Sequence, residues 1–152
     1  MENKYYTPKI EEFHVGFEYE FAFNKKNYTK IVYDGSQVLK SKSYYDDYGC
    51  EYDAVEDDLK YCRVKYLDKE DIESFGFTYI DEDTYILPML FKPIIFSPGK
   101  VWGDIIMHYH PEDNYTSITG FSEGQEEEYT LFMGLIKNKS ELKKILQMIG
   151  VL

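Results

Sequence analysis

Read by alternate positions, residues 11–23, "EEFHVGFEYEFAF", separate into two rows. Phe13, Val15, Phe17, Tyr19, Phe21 and Phe23 fall on one side, and Glu12, His14, Gly16, Glu18 and Glu20 on the other. Large apolar side chains at period two predict a half-buried strand over about residues 12–22, with the aromatic row in the core. The polar row is then a wet or salt-bridged face. Pro8 holds Thr7 extended ahead of it. The turn residues "NKKN" (24–27) and the strand-like "YTKIVY" (28–33) predict a hairpin partner ending at Asp34-Gly35.

"YCRVKYL" (61–67) alternates again, with Cys62, Val64 and Tyr66 opposite Tyr61, Arg63 and Lys65. "DKEDIESFGF" predicts a short helix capped by Asp68, stopped by Gly76 and anchored by Ile72 and Phe75. The following segment reads as strand material interrupted by Pro88, Pro93 and Pro98, hence at sheet edges or bulges. "VWGDIIMHYH" (101–110) is a strand closed by Pro111, and "YTSITGF" (115–121) and "EYTLFMGLI" (128–136) form a hairpin around "SEGQEE". The last element, "NKSELKKILQMIGVL", has Asn138 as N-cap and Glu141 three residues on, the capping-box spacing. Leu142, Ile145, Leu146 and Ile149 give one apolar helical stripe, and Gly150 marks the end.

These patterns predict an α+β fold over residues 1–152 as a single domain. Its core is a mostly antiparallel twisted β-sheet, with a short middle helix and a C-terminal packing helix. The segment 36–58 shows no period, and mixes Tyr44, Tyr45, Tyr48 and Tyr52 with Asp46, Asp47, Glu51, Asp53, Glu56, Asp57 and Asp58. It is expected to be a solvated acidic loop or irregular edge with a short strand or two.

Composition sharpens the picture in two ways. Aromatic residues are 18%, with 16 Tyr and 10 Phe, which favours sheet. Acidic residues outnumber basic ones 28 to 17, for a net charge of −11, which repels phosphate backbones and anionic membranes. Direct nucleic-acid and membrane partners are therefore disfavoured. Cys50 and Cys62 lack the spacing of a zinc knuckle or a secretory framework and are expected to be free thiols. "MENKYYTPKIEEF" has no apolar signal-peptide core, and no run approaches the ~18 apolar residues of a membrane span. A cytoplasmic protein is expected.

The sequence has no glycine-rich phosphate loop, GxSxG elbow, HExxH or kinase set. The "HYH" at 108–110 is the strongest metal candidate, because i and i+2 on a strand project the same way about 6.6–6.8 Å apart. His108 and His110 need further ligands for zinc. His14 is the first-strand histidine that a neighbouring strand could bring to them, with Glu18 as its alternative. Glu18 and Glu20 also have a spacing compatible with paired-carboxylate hydrolysis, but side chains on one strand do not flank a bond.

Gly16, Gly103 and Gly134 fall inside strand candidates and predict bends in a curved sheet. On a concave face, Arg63, Lys65, Trp102 and Tyr109 are the candidate ligand-binding residues; Arg63 and Lys65 also suit cross-strand pairing with Glu18 and Glu20.

"YYTPKIEEFHVGFEYE" (5–20), "VKYLDKEDIESFGF" (64–77) and "LFMGLIKNKSELKKILQMIG" (131–150) together resemble small proteins of gut Bacteroidales bacteria and their phages, a group with no established activity. The resemblance covers about a third of the chain. It implies an intracellular protein of phage or mobile-element neighbourhoods, and no catalytic residue follows from it.

The expected function is thus that of a non-enzymatic, phage-encoded binding protein that engages a host protein or sequesters a small ligand in a counter-defence role, without a cofactor. The rival expectations are an acidic nucleic-acid mimic that blocks a DNA-binding protein, a metal-dependent hydrolase around the HxH pair with zinc as the candidate ion, and a phage structural or accessory protein that forms a homo-oligomer.

Overall fold

The computed structural model describes residues 4–22, 27–35, 44–45, 51–52, 59–88, 102–122 and 128–152, with the backbone alone at 44–45, 51–52, 102 and 122. Phe23, most of the "NKKN" turn and of the acidic segment 36–58, Cys50, Pro93, Pro98, the Trp102 side chain and the "SEGQEE" loop lie outside the described residues. The chain is α+β and its strands pair antiparallel, as the periodicity predicts. It divides into two compact units, Met1–Tyr66 and Leu67–Leu152.

In the first unit, β1 (Tyr5–Tyr6), β2 (Glu18–Ala22), β3 (Tyr28–Val32) and β6 (Cys62–Lys65) form a four-stranded sheet in the order β1-β6-β2-β3. Two short strands between them, β4 (Tyr44–Tyr45) and β5 (Glu51–Tyr52), pair with each other. Phe17, Tyr19, Cys62 and Val64 make the buried core, with Phe13, Phe21 and Ile31 packed at its margin. The hairpin of β2 with β3 and the alternation of β6 are as expected.

The first strand is shorter than its pattern. Residues Ile10–Glu12 form a 3-10 turn, and the amide of Phe17 bonds the carbonyl of His14 at 2.8 Å. Gly16 sits in this turn at φ +89°, a left-handed conformation that costs a glycine nothing. The predicted mid-strand glycine is therefore a turn glycine, and β2 starts only at Glu18. Val15, expected in the core row, is at the turn and 73% exposed.

The second unit is a meander. Helix α1 (Lys69–Glu73) leads into β7 (Thr78–Asp81), β8 (Thr84–Leu87), β9 (Trp102–His110), β10 (Tyr115–Ser122) and β11 (Glu128–Leu135), and α2 (Lys139–Met148) ends it. The sheet order is β11-β10-β9-β8-β7, so every strand lies beside its neighbours in sequence. Tyr85, Ile105, Met107, Tyr109 and Ile118 are buried on one face, in one cluster with Ile72 of α1 and Leu142 and Leu146 of α2.

Both helices start as their caps dictate. The carboxylate of Asp68 accepts from the amide of Asp71, and the Asn138 side chain accepts from the amide of Glu141. The Glu141 carboxylate, however, accepts from the amide of Lys137 at 2.6 Å, one residue before the cap. At the other end, Gly150 (φ +74°) bonds the carbonyl of Gln147, and Val151 bonds that of Leu146, which is the Schellman arrangement. Among the described residues no helix is long and apolar enough to cross a membrane.

Candidate functional site

Alternation in β9 sends Ile105, Met107 and Tyr109 inward, which leaves His108 and His110 on the opposite, outer face. The pairing register then sets their surroundings. Thr84 of β8 and Ser117 of β10 lie opposite His108, and Tyr115 lies opposite His110. One strand further out, Met133 pairs with Ser117 and Leu135 with Tyr115.

The chain turns from β7 to β8 in two residues, Glu82 and Asp83, with Asp81 paired to Thr84. Glu82 is held at φ 34°, in the left-handed region that side chains rarely adopt. The carbonyl of Asp83 accepts from the amide of Tyr109 at 2.9 Å, which fixes this turn between the two histidines. Its carboxylate serves both: Oδ2 lies 3.0 Å from Nδ1 of His110, and Oδ1 lies 3.7 Å from Nδ1 of His108. The Thr84 hydroxyl stands 3.3 Å from Nδ1 of His108 and donates to Oδ1 of Asp83 at 3.3 Å. His110 also borders an open cleft of about 350 Å³ lined by Glu82, Asp83, Pro111, Glu112 and Asp113.

Among the described strands β11 is at the edge of this sheet, and it completes the face. From Tyr129 to Leu135 it carries no charge, and Met133 (62%) and Leu135 (61%) are its exposed apolar residues. Gly134, expected to bend the sheet, is covered by its own strand: a Cβ there would stand 3.0 Å from the Phe132 ring.

The other candidate residues are placed differently. Arg63 and Lys65 belong to the first unit, and Trp102 and Tyr109 to the second. Arg63 is committed to Glu20, its cross-strand partner, at 2.7 Å. Its guanidinium also lies 4.0 Å from the Tyr5 ring centroid and 3.6 Å from that of Tyr28. Lys65 of β6 pairs in register with Tyr5 of β1. Glu18 is bridged to Lys30 on the neighbouring strand. The polar row of the opening segment is thus salt-bridged where it is strand. Tyr109 points into the core at 3% exposure and donates to the carbonyl of Leu67 at 3.0 Å, so it lines no open face.

His14 lies in the first unit, with Nδ1 3.1 Å from the carbonyl of Val15 and its ring edge-on to Phe17. Among the described residues no group of three or more His, Cys, Asp or Glu side chains is arranged to hold a metal ion. Cys62 is buried in the core of the first unit.

Asp83 and Thr84 are the residues that sequence reasoning missed. The alternation of "TYIL" places Thr84 and Ile86 on one face, but pairing of β8 with β9 is needed to put that face beside the histidines. Compared with known proteins, the chain matches no family model, no curated protein and no solved structure.

Proposed function

We propose that this chain is a non-enzymatic binding protein that engages a protein partner through the outer face and the β11 edge of its second unit. The observation that carries the reading is the edge strand itself. Natural edge strands are usually blunted by lysine, proline or inward charge. Here the run Tyr129–Leu135 has none of these and displays Met133 and Leu135 beside Tyr115 and the two histidines.

An extended segment of a partner can add to such an edge by main-chain hydrogen bonds, with side-chain contacts setting specificity. Met133 and Leu135 supply apolar contact, while His108, His110, Ser117 and Tyr115 supply polar groups on the same face. The net charge of −11 favours a partner with a basic surface and gives a salt-dependent association rate.

The test is affinity capture with the wild-type chain beside the double variant Met133→Glu, Leu135→Glu. Both substitutions fall on exposed positions and leave the buried cluster intact. A partner recovered by the wild type and lost by the variant supports the reading. Equal recovery by both, or a small molecule retained by the purified chain in native mass spectrometry with no protein partner, overturns it.

A further inference from the structure

The main chain of β11 alternates in what it offers to a neighbouring strand, and one bond sets the phase. The amide of Ile136 donates to the carbonyl of Asn114 at 2.9 Å, in the register that pairs Leu135 with Tyr115 and Gly134 with Thr116. Hydrogen-bonded and non-hydrogen-bonded pairs alternate along an antiparallel ladder. Gly134 and Phe132 therefore bond towards β10 as Ile136 does, and the amides and carbonyls of Met133 and Leu135 point out of the sheet. The residues with outward main-chain groups are the same ones whose apolar side chains are exposed.

These residues stand symmetrically about Gly134. The register shift opposite Ile118 and Thr119 takes Leu131 out of the ladder, so the regular edge runs over residues 132–136 with Gly134 at its middle. A second copy laid antiparallel on this run, with a two-fold axis at Gly134, sets Met133 opposite the partner's Leu135 and Leu135 opposite the partner's Met133. Each such pair exchanges both main-chain hydrogen bonds and brings two exposed apolar side chains together on the outer face. At the axis the glycines form a non-hydrogen-bonded pair, where Cα atoms approach to about 4.5 Å and side chains crowd most. Glycine leaves that place empty.

Charge selects the antiparallel direction. β11 begins at the exposed Glu128, and Lys137 follows its end. Antiparallel copies turn the acidic start of each strand towards the partner's basic end, whereas parallel copies set Glu128 beside the partner's Glu128. Residues 129–135 and all of β10 carry no charge, so the net charge of −11 lies away from the contact. The other edge of this sheet among the described strands, β7, is four residues long, has a register shift between Tyr79 and Asp81, and ends on an exposed acid. Such an edge is blunted against pairing. One open edge per sheet gives a closed pair and not a fibre.

We infer that the free chain forms an isologous two-fold dimer through β11, with Gly134 on the axis, so that two five-stranded sheets become one. Self-pairing rests on the reading of β11 as a binding edge and adds its regulation. The edge holds either a second copy or a segment of another protein, so a partner binds by displacing the copy.

Sedimentation equilibrium of the full chain is expected to show a monomer–dimer equilibrium, and the double variant Met133→Glu, Leu135→Glu to abolish the dimer. Leu135→Pro separates main-chain pairing from apolar contact, because it removes an outward amide and leaves the bonds to β10 in place. Loss of the dimer with an unchanged circular dichroism spectrum is expected. Register is read by oxidising a mixture of Met133→Cys chains and Leu135→Cys chains. A disulfide between position 133 of one chain and position 135 of the other is expected by peptide mapping, since a hydrogen-bonded pair stands about 5.5 Å apart at Cα, within disulfide reach. Neither chain alone forms one at its new cysteine. A wild-type chain that stays monomeric, a dimer that survives the glutamate variant, or a mixture without the 133–135 disulfide overturns the inference. A monomeric wild type that still captures a protein through this edge overturns self-pairing alone. Edge variants that lose the dimer yet still capture that protein overturn the partner site alone.

Discussion

Nδ1 of His110 lies 3.0 Å from Oδ2 of Asp83, a residue that belongs to a different hairpin. The contact exists because β8 docks on β9 with Thr84 opposite His108, and because the amide of Tyr109 bonds the carbonyl of Asp83. Main-chain pairing thus delivers one carboxylate to the midpoint of an HxH segment. The exposed face that results joins titratable side chains to an uncharged apolar edge.

The turn that carries Asp83 is strained at Glu82, whose φ of 34° is sterically costly for any residue with a Cβ. Glu82→Gly is expected to stabilise the protein by about 0.5–1 kcal/mol, since glycine adopts this φ freely and the gain exceeds its added chain entropy. Chemical denaturation of the two proteins checks this. A lower midpoint for the glycine variant would mean that the Glu82 side chain contributes a contact worth more than the strain.

Arg63 is the centre of the exposed side of the first sheet. It joins Glu20 at 2.7 Å and lies against the rings of Tyr5 and Tyr28, tying together β1, β2, β3 and β6. Solvent reaches about a third of each side chain of the Arg63–Glu20 pair, so the charge pair alone contributes about 0.2–1 kcal/mol. The ring contacts add roughly 0.5–1 kcal/mol each. Arg63→Ala is therefore expected to destabilise more than Glu20→Ala, and Arg63→Lys to recover only part of the loss. Equal effects of the two alanine variants in urea unfolding would remove the ring contribution.

Thr116 is fully buried on the core face of β10, and its hydroxyl has no hydrogen-bond partner among the described residues. A buried unsatisfied hydroxyl costs about 1–3 kcal/mol. Thr116→Val keeps the branched shape and removes the oxygen, so a gain of about 1 kcal/mol is expected, read as a rise in Tm. Thr116→Ser, which keeps the hydroxyl and loses a methyl, is expected to destabilise.

Burial raises the phenol of Tyr85 above its ordinary value, with Tyr79, Glu73, Asp68 and Asp83 adding to the shift, and burial likewise raises Tyr19, with Cys62, Tyr33 and Asp34 adding to it. Below pH ~10 these phenols are neutral in both folded and unfolded chains. Above it the unfolded chain loses these protons first and binds fewer of them than the folded one, so stability falls as pH rises towards the folded values. Denaturation midpoints between pH 8 and pH 11.5 are expected to drop at the alkaline end, and less steeply in Tyr85→Phe. Identical slopes for the variant and the wild type would show that Tyr85 ionises in the folded state as it does in the unfolded one.

Much of the fold is legible in the sequence where local signals agree. The Asp68 and Asn138 caps, the Gly150 terminus, the Leu142–Leu146 stripe and the alternation of β9 and β10 all act within a few residues. The separation of the four-stranded from the five-stranded sheet is not legible, because "YCRVKYL" runs without a linker across Tyr66 and Leu67, where the two units meet in sequence. Alternation over-extended the first strand: the periodicity of Phe13, Val15 and Phe17 persists through a turn that Gly16 makes sterically cheap. The site divides in the same way. His108 and His110 are found by spacing alone, but Asp83, Thr84, Met133 and Leu135 join them only through strand register. Tyr109 is not placed by its pattern, because period two sets the faces of a strand and not which face is covered. The buried cluster settles that it is core.

The central claim is that the outer face beside β11 is a binding surface. Its most direct test replaces Met133 with a photo-crosslinking amino acid in the chain expressed in its native cells, with Val32, also exposed but in the first unit, replaced in parallel as the control position. The account predicts a discrete protein adduct from position 133 that competes with unlabelled wild-type chain and is lost when Leu135 is changed to Glu. Adducts from position 32 alone, or the same diffuse products from both positions, would contradict it.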